Sequence, residues 1–277
     1  MNNDYIQSGG KMCQFSRMIS ALPDHQRSYQ PRANIFRNCS LGIPADASET
    51  GLQLMTLADD CTGFEFVLGE KGLPFVQAFA ASKFPAQIER LALGDCSYNC
   101  HYDRRDLRPL VSALSNIEFP VLKQLYLGDY FQFVNGPGAT GWLGDVTSFL
   151  NKAPAVQDLS LVGNFSLTSS LILTELTELT IEIDDSQSNL NRGPISNETL
   201  DFLLSSSFPK LEYLYLDLSI DVAIEYVLPD TFLQGINLPS LRKMEIVGRY
   251  REGEIDKLVE SPLCQRNEFK LLLEVDD

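Results

Sequence analysis

The hydrophobic positions of this chain recur in one pattern, Leu-x-x-Leu-x-Leu, which in two cases is followed three residues later by Cys or Asn. The alternation in Leu-x-Leu is typical of a β-strand that buries one face, because successive side chains of a strand point to opposite sides. The pattern occurs six times, with its second apolar position at Leu91, Leu125, Leu159, Leu179, Leu214 and Met244. Leu271, Leu273 and Val275 predict one more strand that closes the series.

The second apolar positions are separated by 34, 34, 20, 35 and 30 residues. Most separations leave room for a helix between strands, and four stretches show the amphipathic spacing of a helix. These stretches hold Leu107, Leu110, Val111 and Leu114; Val146, Phe149 and Leu150; Leu200, Leu203 and Leu204; and Ile255, Leu258 and Val259. The 20-residue separation predicts an extended or turn segment instead. We therefore expect an α/β fold, a leucine-rich repeat solenoid (horseshoe) with a parallel concave sheet and convex helices.

An apolar residue followed by proline stands just before five of the strands. Proline does not continue a helix and biases its neighbour towards extended backbone. The apolar residue is expected to fill the corner between helix and strand. These pairs are Phe84-Pro85, Phe119-Pro120, Ala153-Pro154, Phe208-Pro209 and Leu238-Pro239.

The chain divides into three parts by pattern. Residues 1–35 are polar and weakly patterned, which predicts a leader that is partly disordered. Residues 36–83 hold short apolar runs that predict an N-terminal cap, with a small hairpin and then a helix from about Pro74 to Ser82. Residues 84–277 hold the repeats and the closing strand.

The balance of charge is acidic, with 22 Lys and Arg against 37 Asp and Glu and a net charge of −15. Such a surface repels phosphate backbones and anionic lipid, so we expect neither nucleic acid nor membrane as a partner. It favours a basic protein partner, although it is equally explained by solubility. The chain starts without a signal-peptide pattern, and its six cysteines lack the density of a disulfide framework, so a cytoplasmic protein with reduced thiols is expected.

The residues between the leucines are predicted to line the concave face, where tyrosines stand among carboxylates. Rigid aromatic side chains surrounded by acids suit a surface rich in lysine or arginine. Exposed strand positions also favour tyrosine for reasons of propensity alone. The candidate partner-binding residues are Arg90, Asp95, Tyr126, Asp129, Tyr130, Asp158, Glu178, Glu182, Tyr213, Tyr215, Asp217 and Glu245.

Two neighbouring features leave alternatives open. The Leu-Gly-Asp steps at Gly94 and Gly128 either let a partner approach closely or serve as turn chemistry. The segment 130–142 is aromatic and glycine-rich, and is either a mobile flap or a structural loop. Asn164 lies in a glycosylation sequon, but its place in the repeat pattern favours a structural role.

Catalytic and metal chemistry find little support in the sequence. Cys96, Cys100 and His101 resemble part of a zinc site, but the chain has only one other histidine, His25. Nucleophilic sites built on histidine are disfavoured for the same reason, and there is no phosphate-binding loop. We expect no enzymatic activity, no metal and no cofactor. A hydrolase that uses Asp95 or Asp129 is a distant third hypothesis.

From about Phe84 to Leu263 the chain resembles bacterial cytoplasmic leucine-rich repeat proteins of irregular repeat length, which carry Phe-Pro-x-Leu-x-x-Leu-x-Leu followed by Gly-Asp, as in residues 119–129. Some members of that group resemble immunity proteins that neutralise a toxin. The resemblance implies a non-catalytic scaffold, monomeric when free, that occludes a protein toxin or effector. The alternative is a recognition or adaptor module of a larger complex.

Overall fold

The computed structural model describes residues 52–56, 63–68, 73–81, 85–95, 106–129, 142–183, 195–218 and 224–276. Within them the chain forms a nine-stranded, mostly parallel α/β sheet in the order β1-β2-β3-β4-β6-β8-β9-β10-β11, and a second sheet of two strands, β5 and β7. The strands are β1 Leu52–Thr56, β2 Gly63–Leu68, β3 Arg90–Asp95, β4 Gln124–Asp129, β5 Trp142–Asp145, β6 Asp158–Val162, β7 Asn164–Ser166, β8 Glu178–Glu182, β9 Tyr213–Asp217, β10 Lys243–Arg249 and β11 Lys270–Asp276.

The described residues include six short helices, which lie between the strands in sequence. They are α1 Leu73–Ala80, α2 Arg108–Leu114, α3 Thr147–Asn151, α4 Asn197–Leu204, α5 Asp230–Gln234 and α6 Glu254–Val259. The apolar side chains of the helices and of one face of the sheet share a single hydrophobic core. Helix α4 begins where the Ser196 hydroxyl accepts a hydrogen bond from the Thr199 N–H, a standard N-cap.

The core face of the large sheet is made of two columns of aliphatic side chains. Neighbouring strands place these residues in register, so that Leu159 lies beside Leu179 and Leu161 beside Ile181. From β3 to β10 every residue of the two columns is at most 1% exposed. Burying each of these side chains stabilises the folded state by about 1.5–3 kcal/mol relative to leaving it exposed, which makes the two columns the main stabilising element.

The predicted corner is confirmed before β4, β6, β9 and β10, whereas Phe84 of the fifth predicted corner lies outside the described residues. Phe119, Ala153, Phe208 and Leu238 are all buried. The carbonyl of each accepts a hydrogen bond from the N–H three residues later, for example from Leu122 to Phe119 and from Leu211 to Phe208. The apolar residue therefore fills the core while its backbone closes the turn into the next strand.

Most predicted elements are confirmed. Strands β1 and β2 pair as an antiparallel hairpin, α1 covers most of the predicted 74–82 helix, and β11 closes the sheet beside β10. The 20-residue separation holds no helix in 167–177. The prediction that Val259 lies on the apolar face of its helix is wrong. Val259 is 45% exposed, because α6 turns only Ile255 and Leu258 of its apolar residues towards the core. The predicted leader, residues 1–35, lies outside the described residues.

Two elements were not predicted. Strands β5 and β7 form a small parallel sheet with a register shift between Trp142 and Gly144. Helix α5 is a single turn that ends at Gly235 in the left-handed conformation. No helix in the described ranges is long and apolar enough to cross a membrane.

Candidate functional site

The face of the large sheet opposite the core, here called the polar face, is the one that the sequence predicts as concave. Its side chains form three rows across the strands, because the strands are paired without a shift from β3 to β10. From β6 to β10 the first row is Asp158, Glu178, Tyr213 and Lys243, the second Ser160, Thr180, Tyr215 and Glu245, and the third Val162, Glu182, Asp217 and Val247.

The second and third rows of the polar face are covered at β4 and β6, whereas Gln124 and Asp158 in the first row are partly exposed. Tyr126 is 0% exposed, Ser160 4% and Val162 2%. Tyr126 was predicted to meet a partner, and that prediction is wrong: its side chain points away from the leucine columns but is fully enclosed. The alternation along the strand correctly predicted on which side of the sheet Tyr126 lies, but it does not predict whether other residues cover that side.

From β8 onwards the polar face is open. Strands β8, β9 and β10 alternate between buried positions and partly or fully exposed positions over their whole length, and the exposed positions are polar except for Val247. We call the open residues the tyrosine–acid patch, defined as Glu178, Thr180, Glu182, Tyr213, Tyr215, Asp217, Lys243 and Glu245, with Asp158 at its border. These residues lie on hydrogen-bonded strands, so the sheet fixes their spacing before any partner arrives.

Tyr213, Lys243 and Glu245 form one connected group inside the patch. The Tyr213 hydroxyl donates a hydrogen bond of 3.0 Å to Oε1 of Glu245. Lys243 Nζ lies 2.5 Å from the same oxygen and 4.8 Å from the centre of the Tyr213 ring. The hydrogen bond from Lys243 is the main reason that the pKa of Glu245 is lowered. Burial, together with the bond to Glu245, raises the pKa of Tyr213 to about 12.

The second tyrosine is tied to an acid of its own strand. The Tyr215 hydroxyl donates to Oδ2 of Asp217 at 3.4 Å. Burial, and then the charges of Asp217 and Glu182, raise the pKa of Tyr215. Both tyrosines are therefore neutral donors held by carboxylates, which leaves their rings fixed on the strand surface.

Asp158 and Glu178 are direct neighbours in the first row. Burial raises the pKa of Asp158 to about 7, and the charge of Glu178 adds to the shift. Glu178 is exposed and makes no ion pair with a described residue. The charge of this corner of the patch therefore changes close to neutral pH.

The remaining predicted residues have mixed outcomes. Arg90 is partly exposed in the first row, separated from Asp158 by Gln124 of β4. The backbones of Asp95 and Asp129 are neighbours at the ends of β3 and β4. Their side chains, and all of Tyr130, lie outside what the structure describes, so these candidates stay predictions. Asn164 is 7% exposed, which favours its predicted structural role.

Lys243 belongs to the patch but was not among the predicted site residues. Its signal was present in the sequence, because Lys243 and Glu245 stand two apart on a predicted strand and so share one face. Spacing of this kind brings a cation and an acid together without any tertiary information.

Gly128 has a structural reason to be glycine. Its φ is +136°, and a Cβ at this position would overlap the carbonyl group of Val162 on the next strand. The close contact with Val162 explains the glycine without a partner, and it is a reason that neither of the two interpretations of the Leu-Gly-Asp step had considered.

Metal and cofactor chemistry find no new support in the part of the chain that is described, which contains no group of three or more His, Cys, Asp and Glu side chains able to hold an ion. Cys96, Cys100 and His101 lie outside that part. No protein-family model matches this chain, and neither a curated protein nor a solved structure matches it.

Proposed function

We propose that the chain is a leucine-rich repeat solenoid with the polar face as its concave side. Three features support this: eight of the nine strands run parallel in chain order, the aliphatic columns continue from strand to strand, and the same turn recurs before the strands. A protein of this class offers its strand face as a binding surface.

We further propose that the protein is a non-catalytic, cytoplasmic binding protein that takes the basic surface of another protein on the tyrosine–acid patch. The observation that carries the proposal is the charge of the patch. It holds four acids, Glu178, Glu182, Asp217 and Glu245, against one lysine, and that lysine is already paired with Glu245. A fixed surplus of negative charge beside two anchored tyrosines attracts lysine and arginine side chains.

The chemistry of the patch favours protein over nucleic acid or membrane as a partner. Phosphate groups would meet like charge across the patch and across a chain with a net charge of −15. A guanidinium group, in contrast, donates hydrogen bonds to two acceptors at once and stacks on aromatic rings. Glu182 and Asp217 lie side by side in the third row, next to Tyr215, and offer both kinds of contact.

We propose that binding inhibits the activity of the basic partner, and that this partner is a toxin or an effector. This step rests on the resemblance to bacterial leucine-rich repeat proteins, some of which are similar to immunity proteins. An immunity protein occludes the working surface of its partner, so an equimolar amount of this chain should abolish the partner's activity. Binding that leaves the activity unchanged would favour an adaptor module instead.

The test compares three forms of the protein as bait in an extract of its own source. The patch variant carries Asp158→Lys, Asp217→Lys and Tyr215→Ala. The matched control carries Glu198→Lys and Glu260→Lys, which change an exposed acid on α4 and the exposed acid that follows α6, both away from the polar face. We expect a basic protein that binds the wild type and the control but is lost with the patch variant, since such contacts together contribute several kcal/mol, about 2 or more at each hot-spot residue. Equal retention by all three forms contradicts the proposal.

A further inference from the structure

At β11 the large sheet buries its core side chains less completely than at β3 to β10. From β3 to β10, the core columns are closed on both sides by neighbouring strands. At β11, which pairs only with β10 in the described sheet, Leu273 on the core side is 39% exposed and Leu272 on the polar side 53%. The aliphatic layer of the core is therefore more exposed at β11 than it is from β3 to β10.

The backbone of this edge is ready to pair. The N–H of Lys270 donates to the carbonyl of Arg242 on the β10 side. Because alternate residues of a strand direct their N–H and C=O groups to opposite edges, Leu271, Leu273 and Val275 direct theirs away from β10. A row of such groups beside exposed leucines is a template for another strand, and proteins commonly protect it.

We propose that β11 is the contact between two copies of this chain, which pair edge to edge in antiparallel direction about a twofold axis at Leu273. In this register Leu273 faces Leu273 of the second copy, and Leu271 faces Val275. The residues that direct their backbone groups outwards then oppose one another, as the hydrogen-bonded pairs of an antiparallel ladder require. The two hydrophobic cores join across the axis.

The charges of β11 select this arrangement. Its basic residue, Lys270, stands at one end and its acids, Glu274 and Asp276, at the other. The antiparallel register places Lys270 opposite Asp276 of the second copy, with Glu274 on the diagonal, and does so twice by symmetry. A parallel, in-register pair would instead set Lys270 beside Lys270 and acid beside acid. The charges of β11 are thus complementary to those of a second β11 only when the two strands run antiparallel.

A single added strand pair makes a small interface, at the low end of specific protein contacts, so the dimer should depend on concentration. This proposal replaces the monomer expected from the sequence. It uses neither the patch nor its partner, so it stands or fails independently of the proposed function. The strand order that results, β10-β11-β11-β10, would join the polar faces of both copies into one surface.

The experiment is sedimentation equilibrium of the full chain from about 1 to about 200 µM, a range that spans dissociation constants typical of weak contacts. We expect a monomer–dimer equilibrium for the wild type. Lys270→Glu sets acid against acid and should weaken the dimer about tenfold or more, whereas Lys270→Glu combined with Asp276→Lys should restore it. Leu273→Asp places two carboxylates face to face on the axis and should abolish it.

The matched control is Lys210→Glu, which makes the same change of charge on an exposed residue before β9 and should leave the dimer unchanged. Circular dichroism verifies that each variant is folded, and if Leu273→Asp is not, the charge exchange decides alone. A monomer at every concentration overturns the proposal. So does a dimer that is indifferent to Lys270→Glu, or one that the combined exchange does not restore.

Discussion

Strands β4 and β6 carry the same pairing and the same leucine columns as strands β8 to β10, yet their polar faces differ. At β4 and β6 the polar face is closed over Tyr126 and Ser160, whereas at β9 and β10 it is open around Tyr213, Tyr215 and Glu245. Two tyrosines in the same row, Tyr126 and Tyr215, therefore differ in exposure: Tyr126 is fully buried and Tyr215 is partly exposed. The comparison teaches that a regular backbone sets where side chains point, while the surroundings decide whether they stabilise the fold or remain available for binding.

The largest expected difference in folding stability lies between variants of these two tyrosines. Tyr126→Ala should lower the free energy of unfolding by about 3–5 kcal/mol, because it removes a fully buried aromatic ring. Tyr215→Ala should cost about 1 kcal/mol or less, because its ring is only partly enclosed. Urea denaturation of both variants measures the difference. Equal losses would show that the covered and open halves of the polar face are not distinct.

The next largest difference in stability is expected between variants of two glycines with positive φ. Gly128→Ala should cost about 3 kcal/mol, since it adds steric overlap with Val162 to the strain of the left-handed backbone. Gly253→Ala is the matched control, with φ +81° and no atom within 4 Å of the added methyl group. It should cost about 1 kcal/mol, the backbone strain alone. Similar values in thermal or urea unfolding would contradict the close contact between β4 and β6.

A smaller effect, a dependence of folding stability on pH, is expected from Asp158, which lies between the covered and the open half of the polar face. Burial raises the pKa of Asp158 from its usual value of 3.8 to about 7, so between these pH values the folded protein holds a proton that the unfolded chain has lost. The contribution of this group to stability is therefore complete below pH about 4 and is lost as the pH rises to about 7, with each pKa unit worth about 1.4 kcal/mol.

The measurement is urea unfolding between pH 4 and pH 8 for the wild type and for Asp158→Asn. Asparagine cannot ionise, so the variant should gain stability relative to the wild type as the pH rises and should resemble it most closely near pH 4. Glu198→Gln, a change of one exposed acid on α4, should run parallel to the wild type. If Asp158→Asn also runs parallel, the carboxyl of Asp158 is not enclosed in the way described.

The apolar pattern of the chain predicted the order and direction of the strands, the hairpin and five of the six described helices, because burial along a strand or helix is periodic in sequence. It missed α5, which is too short for a period, although Gly235 after it is the usual residue for a left-handed helix end. It also missed the β5–β7 sheet, since short segments such as Asn164–Ser166 pair through contacts that are distant in sequence.

The site was predictable only in part. The alternation correctly placed Glu178, Tyr213, Tyr215 and Asp217 on one face, and this follows from strand geometry alone. The same rule gave Tyr126 the same role, and there it failed. Nothing in the sequence around Tyr126 distinguishes it from Tyr215, because enclosure depends on which other segments lie across the face.

The central claim is that binding belongs to the open half of the polar face. Hydroxyl-radical footprinting, read out by mass spectrometry, tests it most directly on the free protein and on its complex with the captured basic partner. We expect Tyr213 and Tyr215 to be oxidised in the free protein and protected in the complex, while Tyr126 stays unmodified in both. Oxidation of Tyr126 as fast as Tyr215, or a complex in which Tyr213 and Tyr215 remain fully reactive, would contradict it.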